Sequence, residues 1–243
     1  MKYLLLISSL CTLLHSCTFA QNADSVSVAK IAALKDTMLP QLDTVFHKYG
    51  LVPGDSVLIR VFKQEKELEL WVAKGSDLVL LKTFPVCAAS GKPGPKRKEG
   101  DMQVPEGIYS VQYFNPESNF HLSFLISYPN EADRYFSDKE HPGGQICVHG
   151  ECASIGCVAI RDEPIEFVFL SALLAEGKGQ TAIPVHVFPC RMETENLRLL
   201  YIAFPQHQAF WDNLKTIYDR FERKPQFLNI KVDKKGAYVI RKK

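Results

Sequence analysis

The chain opens on an apolar run at residues 4–14, behind Lys2 and ahead of small and polar residues at 16–25. One basic residue, a short apolar stretch and small residues at its exit make the layout of a secretory signal. The run falls short of the about 20 residues that span a membrane. At 26–49 the apolar positions Val28, Ile31, Ala32, Leu34 and Met38 recur at partly helical spacing. That predicts a helix, with Pro40 as a kink point and Gly50 at its end. The period then changes. Residues 56–62, 68–73 and 78–84 alternate Val, Ile, Leu and aromatics with charged residues, and Gly75-Ser76-Asp77 supplies a hairpin turn. Three strands in an antiparallel meander follow from this.

Residues 90–100 are rich in Gly and Pro, which predicts a surface loop. Its basic residues Lys92, Lys96, Arg97 and Lys98 form either a solvated loop or a face for an anionic substrate. A strand is expected at 108–114, residues 120–128 form another apolar run ended by Pro129-Asn130, and a short buried strand is expected at 146–149. A helix begins near Pro164 and runs to about Glu176, before Gly177 and Gly179. A strand at 183–188 and an amphipathic helix at 206–223 follow. That helix carries Phe210, Leu214, Ile217, Tyr218 and Phe221 on one face. Residues 227–232 and 237–240 suit a last hairpin turning at Lys234-Lys235-Gly236.

Composition narrows the class. The chain has 243 residues, 46% hydrophobic and 23% charged, which is globular usage. Net charge is +2, from 29 Lys and Arg against 27 Asp and Glu, so bulk charge gives no nucleic-acid binder. Seven cysteines raise the question of compartment. Thr18-Phe19-Ala20 suits signal-peptidase cleavage, which removes Cys11 and Cys17 and leaves five thiols, an odd number. Leu14-His15-Ser16-Cys17 suits instead a lipobox with a lipid anchor at Cys17, although His at its second position is atypical. Either exit exports the protein across the inner membrane, to the periplasm. Pairing of the remaining cysteines is open; Cys147 with Cys152 and Cys87 with Cys190 are two options.

Residues 146–160 hold the candidate chemistry. A buried strand delivers His149 to its end, and Ser154-Ile155-Gly156-Cys157 makes a tight turn before Val158 re-enters the core. A thiol is mostly protonated near neutral pH, and an adjacent imidazole can take the proton and hold the thiolate. Gly156 allows a turn whose amide N–H groups converge, as an oxyanion requires. Acyl transfer through a thioester is the implied reaction. Two other readings compete: structural cysteines, and a zinc site drawn from His141, Cys147, His149, Cys152 and Cys157, whose spacing fits no common zinc pattern.

His149-Gly150 followed by Ser154-Ile155-Gly156-Cys157 resembles the signature of the L,D-transpeptidase catalytic domain, the YkuD-type family, and within it the YafK-like murein branch. Further landmarks are Ser90-Gly91 through Gly94-Pro95-Lys96, Glu99-Gly100-Asp101, and Pro105-Glu106-Gly107-Ile108-Tyr109. Tyr113-Phe114-Asn115-Pro116, His121-Leu122-Ser123-Phe124 and Tyr128-Pro129-Asn130 continue the series. The resemblance spans roughly 55–190. It implies an α+β fold: a β-rich mixed sheet, sandwich-like, with flanking helices. The organisation expected is a signal at 1–20, a helical extension at 21–54, the catalytic domain at 55–190 and a C-terminal helical extension at 191–243.

The resemblance further implies Cys157 as nucleophile and His149 as base, with Gly156 and Cys157 giving oxyanion N–H groups and Ser154 and Gly150 shaping the loop. Arg161, Lys96, Tyr128 and His121 are candidates for substrate contact. The substrate would be a peptidoglycan stem peptide, attacked after meso-diaminopimelate. An amine or a wall-linked lipoprotein accepts the acyl group, or water hydrolyses it. No metal or organic cofactor is implied. Two positions depart from much of the family: Ile155 stands where His is usual, and Ala159 where Arg is usual. A non-catalytic wall-binding protein is the alternative of another class, and it requires Cys157 to be disulfide-bonded.

Overall fold

The computed structural model describes residues 13–241. The first twelve residues of the expected export signal, with Cys11, lie outside the described residues, as does the side chain of Cys17. Helix α1 (Leu13–His47) begins well before the helix expected from residue 26, and takes Pro40 inside it. The meander is β1 (Val57–Phe62), β2 (Glu67–Lys74) and β3 (Asp77–Pro85). Then come β4 (Ala88–Ala89), β5 (Gly107–Asn115), β6 (Ser123–Ile126), α2 (Glu131–Phe136), β7 (Cys147–His149), β8 (Val158–Ala159), α3 (Asp162–Gly177) and β9 (Pro184–Phe188). Helices α4 (Thr194–Ala203) and α5 (Gln208–Arg223) and the hairpin β10 (Ile230–Val232) and β11 (Tyr238–Ile240) complete the chain. Strands β1 to β9 form one sheet in the order β3-β2-β1-β9-β5-β6-β7-β8-β4, mixed because β1 runs parallel to β9 and β7 parallel to β8.

Strand alternation explains how this sheet is covered on both sides. Val57, Ile59 and Val61 join the main core with α1 and α3, whereas Leu58 and Phe62 face the other way, among residues of α5. Phe46 of α1 stacks on Phe167 of α3 at 6.5 Å, and Trp211 of α5 donates its Nε1–H to buried Glu106 at 2.7 Å. A strand buried on both faces has no solvent side, so its charged residue is buried too. Arg60 is only 1% exposed. It pairs with Glu69 at 3.3 Å and Glu222 at 2.7 Å and lies over the rings of Phe62, Phe188, Tyr218 and Phe221. The cover supplied by α5 on the second face of β1 is what buries Arg60.

Candidate active site

Strands β7 and β8 bring the site together. They pair in parallel through Val148↔Val158 and His149↔Ala159. Val148 and Val158 point into the main core, so Cys147 and His149 share the opposite face. His149 is buried, and its Nδ1 lies 2.7 Å from the Gly150 carbonyl oxygen. A carbonyl can only accept, so Nδ1 carries the proton and the other ring nitrogen is left to exchange protons with Cys157. The Phe120 ring packs on the imidazole with centroids 4.7 Å apart.

The electrostatics favour an ion pair. Burial disfavours the His149 charge, but the Cys157 sulfur and the Gly150 carbonyl outweigh it and lift the imidazole above its ordinary value. Cys157 moves the opposite way. Hydrogen bonding from Cys147 is the largest influence; burial opposes it, and His149 adds to it, so the thiol is held well below the ordinary range. A thiolate facing an imidazolium is equipped for nucleophilic attack on a carbonyl.

The turn before Cys157 is held by Ser154. Its hydroxyl donates to the Cys157 carbonyl at 2.7 Å and accepts from Gly156 N–H at 3.2 Å and Ser90 N–H at 3.3 Å. Gly156 has φ 131°, a left-handed conformation that suits glycine. Its N–H, expected to face an oxyanion, is thus engaged within the turn. Gly150 marks a close approach: a Cβ there would stand 2.8 Å from the Phe120 carbonyl oxygen and 2.8 Å from Asp162 Oδ1.

The disulfide is neither of the two pairings named from the sequence, which leaves the pairing open. Cys87 is bonded to Cys152. Antiparallel pairing of β4 with β8, and Cys87 N–H donating to the Ala159 carbonyl at 2.9 Å, carry Cys87 to the 150–157 loop. Cys190 is buried in a second core with Trp211 and Phe188, and Cys147 and Cys157 are free. Cys157 therefore lacks the disulfide that a purely structural role required, and Cys152 is withdrawn from the zinc set. Among the described residues no cluster of His, Cys, Asp or Glu has the arrangement of a metal site.

The four candidates for substrate contact lie elsewhere around this centre. Lys96 is buried: its Nζ donates to Asp101 Oδ1 at 2.6 Å and to the Lys98 carbonyl at 2.9 Å, which ties the loop together. Tyr128 is buried, precedes a cis proline peptide, and donates its hydroxyl to the Pro142 carbonyl at 2.8 Å. His121 pairs with Glu166 at 2.7 Å, and its Cβ would be 3.0 Å from a Cβ at Gly150. Arg161 has φ 66° at the start of α3 and keeps an exposed side chain. A cleft of about 430 Å³ has Arg97, Lys98, Gln103, Asp138 and His207 in its walls. Of these, Gln103 approaches the Cys157 turn: its carbonyl oxygen would be 3.4 Å from a Cβ at Gly156. Phe120, which packs on the imidazole, was missed as a site residue, and Cys147 was read only as a zinc ligand or disulfide partner. Only Cys147 left a signal: residues two apart on a strand share a face, as Cys147 and His149 do.

Residues 56–186 match the family model of the L,D-transpeptidase catalytic domain, YkuD. The chain is 35% identical over 193 residues to the Escherichia coli (strain K12) protein YafK, whose name makes it a candidate L,D-transpeptidase. The match covers 78% of this chain and 75% of YafK. Among solved structures, the helical cell shape determining protein Pgp2 of Campylobacter jejuni aligns over 82% of this chain and 97% of its own, at 16% identity and a TM-score of 0.45. By the family model and the YafK match, this chain belongs to the L,D-transpeptidase catalytic-domain family.

Proposed function

We propose that the chain is an exported cysteine acyltransferase that acts on peptidoglycan stem peptides, with Cys157 as nucleophile and His149 as its proton partner. The carrying observation is the pairing of β7 with β8, which sets the Cys157 turn beside His149, whose ring Nδ1 is fixed at 2.7 Å from the Gly150 carbonyl. The thiolate attacks the carbonyl carbon after the diaminopimelate residue. The oxyanion draws on turn N–H groups, and Gly156 N–H would leave Ser154 Oγ to serve it. The His149 imidazolium gives its proton to the departing amine as the thioester forms. An incoming amine then attacks the thioester and passes a proton to His149. The cleft beside Gln103 is where the peptide lies, and exposed Arg161 is available to a substrate carboxylate. Export accords with the Cys87–Cys152 disulfide, which persists in oxidising compartments.

Incubation with muropeptides, followed by intact-mass analysis, should reveal a thioester adduct on Cys157 that is absent from Cys157→Ala. No adduct and no product would end this reading. Hydrolysis of the same acyl-enzyme is a second reading, favoured by Ala159. That residue is wholly buried opposite His149, where much of the family carries Arg. If amine acceptors yield no crosslinked product and only free acids accumulate, hydrolysis is the activity.

A further inference from the structure

A second free thiol lies beside the first. Taking Cys157 as the nucleophile, we propose that Cys147 is its positioning residue, holding the Cys157 sulfur in place as a thiolate through both its backbone N–H and its own S–H.

The geometry comes from the sheet. One step back along the parallel ladder from Val148↔Val158 sets Cys147 alongside Cys157. His149, on the same face as Cys147, then lies diagonally across from the sulfur. Cys147 N–H donates to Cys157 Sγ at 3.4 Å. Both sulfurs lie 3.8 Å from the Gln145 carbonyl oxygen, which a left-handed backbone at Gln145, φ 56°, turns towards them. The Cys147 S–H thus has a carbonyl in reach, and it shares that carbonyl with the Cys157 sulfur, which becomes the better acceptor for the S–H only while it is an anion. In the free enzyme the S–H is drawn to the thiolate. Once Cys157 is acylated its charge is gone and the S–H falls back on Gln145. The donor therefore acts by raising the share of Cys157 present as thiolate, the form that attacks.

The ionisation of the two thiols moves in opposite senses, as this arrangement requires. Cys147 is pushed up by its hydrogen bond to Cys157 and by burial, while Cys157 is held down. Other groups bear on the pair. His149 faces Cys157 from β7, Glu151 on the following loop bears on His149, and β6 presents the Ser123 hydroxyl to Cys147. Replacing Cys147 removes neither His149 nor Glu151, so the Cys147 contribution can be read separately.

The test is the pH dependence of iodoacetamide alkylation of the full exported chain, with each thiol followed by peptide mapping. Cys147→Ala should move the Cys157 midpoint up by roughly one pH unit, while Cys147→Ser, which restores a donor, stays near the parent. With muropeptides, kcat should fall in Cys147→Ala and recover in Cys147→Ser, with KM little changed. The reciprocal variant needs no change at Cys147: in Cys157→Ala the Cys147 midpoint should fall towards that of an ordinary thiol. An unmoved Cys157 midpoint in folded Cys147→Ala, or an unmoved Cys147 midpoint in Cys157→Ala, overturns the proposal. Alkylation uses no peptidoglycan. A low Cys157 midpoint in a protein inert towards stem peptides would therefore sink the functional reading alone.

Discussion

Two pairs of cysteines meet at one loop and have opposite fates. Cys87 and Cys152 are joined across 65 residues of sequence. Cys147 and Cys157, ten residues apart and neighbours across a parallel ladder, stay free. The bonded pair anchors the outer edge of the loop that leads to Cys157. The free pair faces the imidazole, where one sulfur is stabilised as an anion and the other remains a donor. One pair fixes the position of a loop. The other keeps a charge available at its end.

The sharpest way to break this contrast is to remove the cation. His149→Ala should lower acyl transfer by roughly 10²- to 10⁴-fold. It should also move the Cys157 alkylation midpoint towards that of an ordinary thiol, since His149 is one of the groups holding it down. The signs set the pH window. A raised imidazole keeps its stabilising charge below the ordinary histidine value and loses it as pH rises through the raised value. A lowered thiol keeps its benefit above the ordinary thiol value and loses it as pH falls through the lowered one. Activity should therefore peak between the lowered thiol and the raised imidazole. A rate profile that still climbs at the ordinary thiol range would remove the ion pair from the mechanism.

The bonded pair is tested by stability. Replacing both Cys87 and Cys152 by Ser frees a loop of 65 residues and should cost about 2–4 kcal/mol. A thermal transition lower by roughly 5–15 °C is expected for a chain of this size, with the Cys157 midpoint unchanged. An unshifted transition would mean that hydrogen bonds such as Cys87 N–H to Ala159 hold the loop without the disulfide. Gly150→Ala probes the join between the two pairs. Its Cβ would meet backbone oxygen at 2.8 Å, which cannot yield as a flexible side chain does, so the His149 turn must shift. We expect about 1–3 kcal/mol of destabilisation and a larger fractional loss of acyl transfer than of Cys157 alkylation. Equal losses in both would place the damage in folding rather than in alignment.

The His149-Gly150 and Ser154–Cys157 series was readable because it is local: each residue's part follows from a strand end or a tight turn. The meander was readable from its period. Cysteine pairing was not, because it depends on β4 and β8, each only two residues long, too short to leave a periodic trace. Helix α2 escaped for a related reason. Its capping box of Asn130 and Asp133 was present in the sequence, but six residues carry too little periodicity to show a helix. Lys96 read as a surface charge because the sequence does not reveal that Asp101 folds back to receive it, along with the N–H groups of Arg97, Lys98 and Gln103. Arg60 was obscured by distance: the rings of α5 that enclose it arrive some 160 residues later.

Cys190 gives the smallest expected effect and the control for both pairs. It is wholly buried between the sheet and α5, among Phe62, Phe188, Met192 and Trp211. Burial is the first cause that raises its thiol, to about 12, with Glu65 and Glu106 adding to it. A thiol so placed behaves as a small apolar side chain. Cys190→Ala should cost about 1 kcal/mol through the space it leaves, leave the Cys157 midpoint where it was, and leave acyl transfer intact. Disulfide mapping should show Cys87 still joined to Cys152. A Cys152 found joined to Cys190 in the parent protein would overturn the pairing. A Cys157 midpoint that moved with Cys190→Ala would mean that the second core and the site are coupled through the sheet, and that the charge on Cys157 is not set locally by β7 and β8.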